Sequence, residues 1–312
     1  MIIPPRLEGL AKIRATQCET MGAVEFYAAM IAAVVSQKER LQGPPIVDIW
    51  GGVMAKRFRA DPKREMDDNF QILASFVRPD DVFVDAGGGA GRLSLPMALR
   101  CREVINVDPS PGMGQEFQES AAEAGIANAR FVLDDWLDPD GVQSGVAGDV
   151  VHAANVTYFV GDIDRFVRNL EAATRRRVII TVWSVPNPMH NATLFKMVYG
   201  EAQAPVPGYT HLLPALWEMG ILPDVRFLPQ VTTFDGEIVP PVFPKSKEEA
   251  VEMALGGTWL APHHRSRGEA VVWEHFGELF EEGPEGFIPH WLPDVREVLM
   301  SWETGQQGGN TG

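Results

Sequence analysis

The sequence predicts an α/β protein: a doubly wound, mostly parallel, seven-stranded sheet with helical caps and insertions. Three observations predict it. Between 81 and 183, short apolar runs rich in Val and Ile alternate with amphipathic stretches, the pattern of successive βαβ units. The first run opens "VFVDAGGGAGRLSLPMA" (82–98), in which four glycines fall within five positions between a strand and a helical stretch. The chain's 312 residues, 45% of them hydrophobic, suffice for one large core and a smaller cap.

Taken in order, residues 7–41 carry a helical apolar stripe of Leu10, Ile13, Met21, Val24, Met30, Ile31 and Val34, broken by "QGPP" at 42–45. A second helix is expected over about 65–77, ending before Pro79. Strands follow at 81–86, 103–108, 129–135, 148–156 and 176–183. Helices at 91–100, 112–125 and from Asp162 to Ala173 connect them, with Pro96 tolerable in a first turn. Proline and aromatic content rises through 186–223; "DVRFLPQVTTF" (224–234) reads as a sixth strand. Residues 246–282 read as helical, opening with Ser246 and Glu249 at capping-box spacing. "VREVLMSWE" (295–303) alternates as a strand does. The chain so divides into a helical cap segment at 1–60, a core at 61–240 with an insert at 185–223, a helical insertion and final strand at 241–303, and a disordered tail at 304–312.

The formal net charge of −15 argues against a nucleic-acid partner, which needs a basic face; "KRFR" (56–59) and "RRR" (175–177) read as solvated faces. Cys18 and Cys101 make neither a disulfide framework nor a four-ligand zinc site. The start of the chain lacks a signal-peptide layout, and "AAMIAAVV" (28–35) is too short to span a bilayer. A cytoplasmic protein without membrane association is expected. The 7–41 stripe suits a lid or, alternatively, a homodimer surface.

The glycine loop is expected to cradle a small molecule. Glycine permits positive φ and lets a ligand approach bare backbone, and open parallel sheets bind ligands beyond the carboxyl ends of their strands. The dinucleotide fingerprint G-x-G-x-x-G fails: from Gly87 its last position is Arg92, and from Gly89 it is Ser94. What matches is D-x-G-x-G-x-G, as Asp85, Gly87, Gly89 and Gly91, which resembles motif I of the class I S-adenosylmethionine-dependent methyltransferases. "INVDPSPGM" (105–113) looks like that family's D-x-S-x-x-M after the second strand, "FVLDDWLD" (131–138) like its element after the third, and "DVVHAANVTYFVGDIDRFVRNL" (149–170) like its fourth strand and following helix. The resemblance covers 46–184 well and 224–234 and 295–303 more loosely, as a final antiparallel pair. Gly88, a third consecutive glycine, departs from the pattern without removing a required position.

The resemblance implies an enzyme that transfers a methyl group from S-adenosyl-L-methionine to a small-molecule acceptor, releasing S-adenosyl-L-homocysteine. It implies cofactor contacts from Asp85, Ala86, Gly87, Gly89 and Gly91. Asp108 would take the ribose hydroxyls, Met113 would lie on the adenine, and Asp134, Asp135 and the Trp136 backbone would meet the adenine edge. Asn155 would pass the methionine moiety. Aromatic candidates for the acceptor roof are Trp50, Phe58, Tyr158, Phe159, Trp183, Tyr209, Trp217 and Trp259. His190 and His211 are candidate bases, because imidazole titrates near neutrality. His152 reads as packed in the sheet. The absence of H-E-x-x-H spacing or a Cys/His cluster gives no support for a metal. The competing readings are a nicotinamide-dependent oxidoreductase, a non-catalytic relative, and a different group transfer from the same donor.

Overall fold

The structure is a computed structural model that describes residues 21–43, 48, 50–137, 146–229, 243–256 and 259–305. The run after Asp81 becomes strand β1 (Val82–Ala86), buried along its whole length. On one side it pairs in parallel with β2 (Glu103–Asp108), Asp85 opposite Asn106; on the other it pairs with β4 (Gly148–Ala154), Asp85 opposite His152. Outside these lie β3 (Ala129–Leu133) against β2 and β5 (Thr174–Trp183) against β4, again parallel. β9 (Glu297–Glu303) runs antiparallel to β5, and β6 (Asp224–Phe227) antiparallel to β9. The order is β3-β2-β1-β4-β5-β9-β6, a seven-stranded, mostly parallel sheet as expected. Because the winding reverses between β1 and β4, a crevice opens beyond their carboxyl ends.

Helices cover both faces. α1 (Ala23–Gln42), α6 (Ile163–Ala172) and α8 (Tyr209–Glu218) pack on one face around Tyr27, Phe166, Leu212 and Val182. α3 (Asp68–Ala74), α4 (Ser94–Ala98) and α5 (Pro111–Ala124) pack on the other around Phe83, Leu95 and Phe117. α6 illustrates the logic. Ile163, Phe166, Val167 and Leu170 recur on one buried stripe, each contributing about 1.5–3 kcal/mol. Asp162 caps the helix by accepting the Arg165 N–H at 3.1 Å. A short helix, α2 (Val53–Arg57), lies against α5.

α7 (Ala192–Tyr199), α9 (Lys247–Ala254), α10 (Arg265–Glu274) and α11 (Phe276–Leu279) form a third core around Phe195, Trp259 and Phe280. Here the expected helix over 246–282 is corrected. The helix stops at Leu279, and a hairpin follows, β7 (Phe280–Gly283) with β8 (Gly286–Pro289). Gly286 takes φ +126°, a conformation that closes the turn, and the charges of "FEEGPEGFIP" hide the strand alternation. The helix after β1 begins at Ser94 rather than at 91, because Gly91 is still at φ +88°. Residues 7–20 of the expected first helix, 230–234 of the sixth strand and the tail from 306 lie outside the described residues. Among the described residues, no helix is long and apolar enough to cross a membrane.

Candidate functional site

The turn after β1 is built by glycines at φ +73° (Gly87), +54° (Gly89) and +88° (Gly91). Packing demands most of them as well. A Cβ on Gly87 would lie 2.6 Å from Val156, one on Gly88 2.5 Å from the Asp85 carboxylate, and one on Gly91 2.7 Å from Phe117. Gly89 differs: its nearest neighbour would be Met113 Sδ at 3.4 Å, so its outer surface is open. Both sides of the Gly89 peptide are gripped by β2. Its N–H donates to Asp108 Oδ2 at 3.0 Å, and its carbonyl accepts from Asn106 Nδ2 at 2.9 Å.

Asp108 sits at the tip of β2, its other oxygen accepting the Ser110 N–H at 2.9 Å. Burial pushes its carboxyl up to about 6, and the neighbouring Asp85 and Asp48 carboxylates add to the rise against the pull of the two N–H groups. Each Asp108 oxygen has one of its two lone-pair sites engaged by these backbone bonds, which leaves capacity for hydroxyl donors. Ser110 caps α5 by accepting the Met113 N–H at 3.2 Å and donates its own hydroxyl to Asp48 at 2.9 Å. That bond ties Asp48 to the start of α5, and residues 50–58 lie beside it. Gly112 lies against Gly51, and Met113 packs with Ala90, Ala55, Trp50 and Phe58.

Asp134 reaches the same tip, its N–H donating to the Asp108 carbonyl at 3.4 Å. The Asp134 carboxylate accepts from the Asp135 N–H, and the exposed Asp135 carboxylate from the Leu137 N–H, both at 2.9 Å. The Trp136 ring is core; its carbonyl accepts from Asn169 on α6 at 2.6 Å. Asn155, after β4, holds φ +58°, the one positive φ of a non-glycine among the described residues. Its Oδ1 accepts from the Tyr158 hydroxyl at 3.2 Å, and that hydroxyl accepts the Trp183 N–H at 2.5 Å. Burial pushes the Tyr158 phenol far up, so it remains a donor.

The aromatic candidates separate. Trp50 meets Phe58 and Phe159 edge-on at 5.8 and 5.4 Å, and Trp183 meets His190 at 6.4 Å. Tyr209 instead packs on Phe227, Trp217 is exposed, and Trp259 lies in the third core, so these three are set aside. The two histidines separate too. His190 Nε2 donates to the Val185 carbonyl at 3.0 Å, which leaves Nδ1 as the acceptor, and burial lowers its basicity from the ordinary value. His211 Nδ1 accepts the Gly208 N–H at 3.3 Å and serves the start of α8.

Sequence reasoning missed Asn106, the Asp48–Ser110 bond and the Tyr158 bridge. Asn106 could have been found: it is a lone polar residue inside an apolar parallel strand, and such a residue needs a buried partner.

The arrangement sets the spare acceptor capacity of Asp108 beside the apolar Met113 and the open backbone of Gly89. Among the described residues, no group of three or more His, Cys, Asp or Glu is placed to hold a metal ion.

A family model described as a methyltransferase domain matches residues 83–177. A curated Haemophilus influenzae protein of uncharacterised function is 27% identical over 162 residues; the match covers 51% of this chain and spans only 58% of that protein. Similar solved structures include magnesium protoporphyrin IX methyltransferase from Synechocystis with bound S-adenosylhomocysteine, 20% identical, covering 67% of this chain and 94% of that one at TM-score 0.44. A methyltransferase from Geobacter sulfurreducens, also with S-adenosylhomocysteine, is 13% identical, with coverage of 81% and 98% and a TM-score of 0.46. The YcgJ protein of Bacillus subtilis is 12% identical, with coverage of 76% and 98% and a TM-score of 0.48.

Proposed function

We propose that this protein, whose residues 83–177 match a methyltransferase-domain family model and whose sheet is seven-stranded and mostly parallel, transfers a methyl group from S-adenosylmethionine to a small-molecule acceptor. The observation that carries the reading is the pair Gly89 and Asp108. An open glycine backbone lies beside a carboxylate already oriented by two N–H bonds.

In this reading Asp108 holds the ribose hydroxyls, Met113 and the 134–136 turn flank the adenine, and Gly87, Gly89 and Asn155 line the methionine part. Asp85 and Ala86 support the loop from below. When bound, S-adenosylmethionine supplies a methyl group made electrophilic by its sulfonium charge. The protein's part is alignment and exclusion of water. Trp50, Phe159 and Tyr158 form the apolar wall that excludes it. Trp183 and His190 lie at the end of β5, where His190 Nδ1 is available to accept a proton from an acceptor hydroxyl or amine.

The test is isothermal titration with S-adenosylhomocysteine and with NAD, followed by transfer from methyl-labelled donor to candidate acceptors. Micromolar-range binding of S-adenosylhomocysteine with none of NAD is expected. Binding of NAD alone would replace this reading with an oxidoreductase; binding without turnover on any acceptor would favour a non-catalytic role.

A further inference from the structure

Beneath the glycine loop a row of polar side chains crosses the sheet inside an otherwise apolar layer. Ser94, Asn106, Asp85, His152 and Thr181 are each at most 3% exposed. Asn106 Nδ2 reaches Ser94 Oγ at 3.5 Å, His152 Nδ1 lies 3.4 Å from Asp85 Oδ1, and His152 Nε2 lies 2.9 Å from Thr181 Oγ1. Four of the five sit on neighbouring strands β2, β1, β4 and β5, all on the face that packs against α3, α4 and α5. Asp85 Oδ1, His152 Nδ1 and Asn106 Oδ1 are buried with no hydrogen-bond partner. The upper oxygen of Asp85 abuts Gly88 so closely that a Cβ there would be 2.5 Å away.

We propose that His152 is the positioning residue of the cofactor loop: its Nδ1–H donates to Asp85 and fixes that carboxylate under Gly88, while Thr181 fixes the ring through Nε2. The proposal rests on the cofactor reading of the loop. Its logic is one of lone pairs. With Nδ1 bare, two buried acceptors face each other and both stay unpaired, an arrangement costlier than either hydrogen bond. With the proton on Nδ1, Asp85 gains the one donor its environment offers, and the Thr181 hydroxyl completes the other nitrogen. The fixed carboxylate then supports the peptide groups that would receive the cofactor. The charged groups facing the pair are few. Besides Asp85 itself, Asp108 at the tip of β2, the buried Glu297 on β9 and, beyond it, Arg92 and Asp67 face the pair, and the Phe83 ring covers the imidazole at 5.8 Å.

The tests use the full chain. In ¹⁵N-resolved NMR of the wild type, the His152 ring should carry its proton on Nδ1; a bare Nδ1 with the proton on Nε2 overturns the proposal. His152→Leu should weaken S-adenosylhomocysteine binding about 10- to 100-fold. His152→Gln, whose amide can donate to Asp85 and accept from Thr181, should restore affinity to within about threefold of wild type. A folded His152→Leu variant that binds within twofold of wild type overturns the proposal, as does a Gln variant no better than Leu. Should His152→Leu fail to fold, the Thr181→Val variant decides. Binding to the folded variant should weaken, and unchanged binding counts against the ring's role. If the wild type itself binds no S-adenosylhomocysteine while His152 shows its Nδ1 proton, the cofactor reading fails and the pair is a structural one.

Discussion

The Gly89 N–H donates to the Asp108 carboxylate at 3.0 Å, so the turn after β1 and the tip of β2 act as one unit. Each side of the expected cofactor contact is therefore tied to the other. A change at Asp108 should disturb the loop, and a change in the loop should free Asp108.

The first prediction concerns pH. Asp108 must be ionised to accept ribose hydroxyls, and its carboxyl is raised to about 6. S-adenosylhomocysteine affinity should be flat above about pH 7 and fall toward tenfold per pH unit below about 6. Asp108→Ala should weaken binding by roughly 2–4 kcal/mol and flatten that profile. The sign for stability is opposite. A raised carboxyl favours the protonated fold, so this group's contribution is full below its ordinary value and lost as pH rises through about 6, amounting to about 3 kcal/mol. Melting curves of wild type and Asp108→Ala without ligand should converge at low pH and diverge in the variant's favour at neutral pH, less any loss from its freed N–H groups.

Two glycine substitutions should separate packing from binding. Gly91→Ala brings a Cβ to 2.7 Å from Phe117 and 2.8 Å from Leu95 at φ +88°. It should lower stability by about 2–4 kcal/mol, visible as a reduced melting temperature. Gly89→Ala meets nothing nearer than 3.4 Å. It should lose only about 1–2 kcal/mol of stability to its positive φ, yet lose S-adenosylhomocysteine binding disproportionately, because the added methyl fills the open surface.

Tyr158→Phe removes the acceptor of the Trp183 N–H and the donor to Asn155. A buried N–H without a partner costs about 1–3 kcal/mol. Denaturant unfolding should show that loss. Asn155→Gly and Asn155→Ala both lose the Tyr158 bond, but Asn155→Ala should be less stable than Asn155→Gly by about 1–2 kcal/mol, since φ +58° suits Gly and Asn best.

If His190 is the base, its burial-lowered basicity keeps the imidazole neutral at neutral pH. The rate should therefore rise with pH and level off below the ordinary histidine value. His190→Gln, which keeps a donor for the Val185 carbonyl, should reduce kcat by about 10²–10⁴ with S-adenosylhomocysteine affinity unchanged. His211→Gln should lower stability slightly and leave kcat alone.

Most of the sheet was legible because parallel strands buried on both faces must be continuous apolar runs. The expected strands at 81–86, 103–108, 148–156 and 176–183 are such runs apart from single polar residues, and each overlaps an observed strand. The β7–β8 hairpin was not, because its strands are short and partly exposed and their charges read as helix surface. Trp259 was read as a roof aromatic because side-chain type says nothing about which core it joins.

From the sequence alone came the spacing of Asp85, Gly87, Gly89, Gly91 and Asp108, and with it a strand, a tight turn and an acid at the next strand's tip. Those features depend on local backbone chemistry: positive φ, chain reversal and strand length. Only the tertiary structure decided that Asn106 and His152 flank Asp85, that Asp48 is tied to Ser110, and that His190 rather than His211 keeps Nδ1 free of the backbone bond its rival makes. Such partners are distant in the chain and meet through strand order and register, and no local preference encodes either.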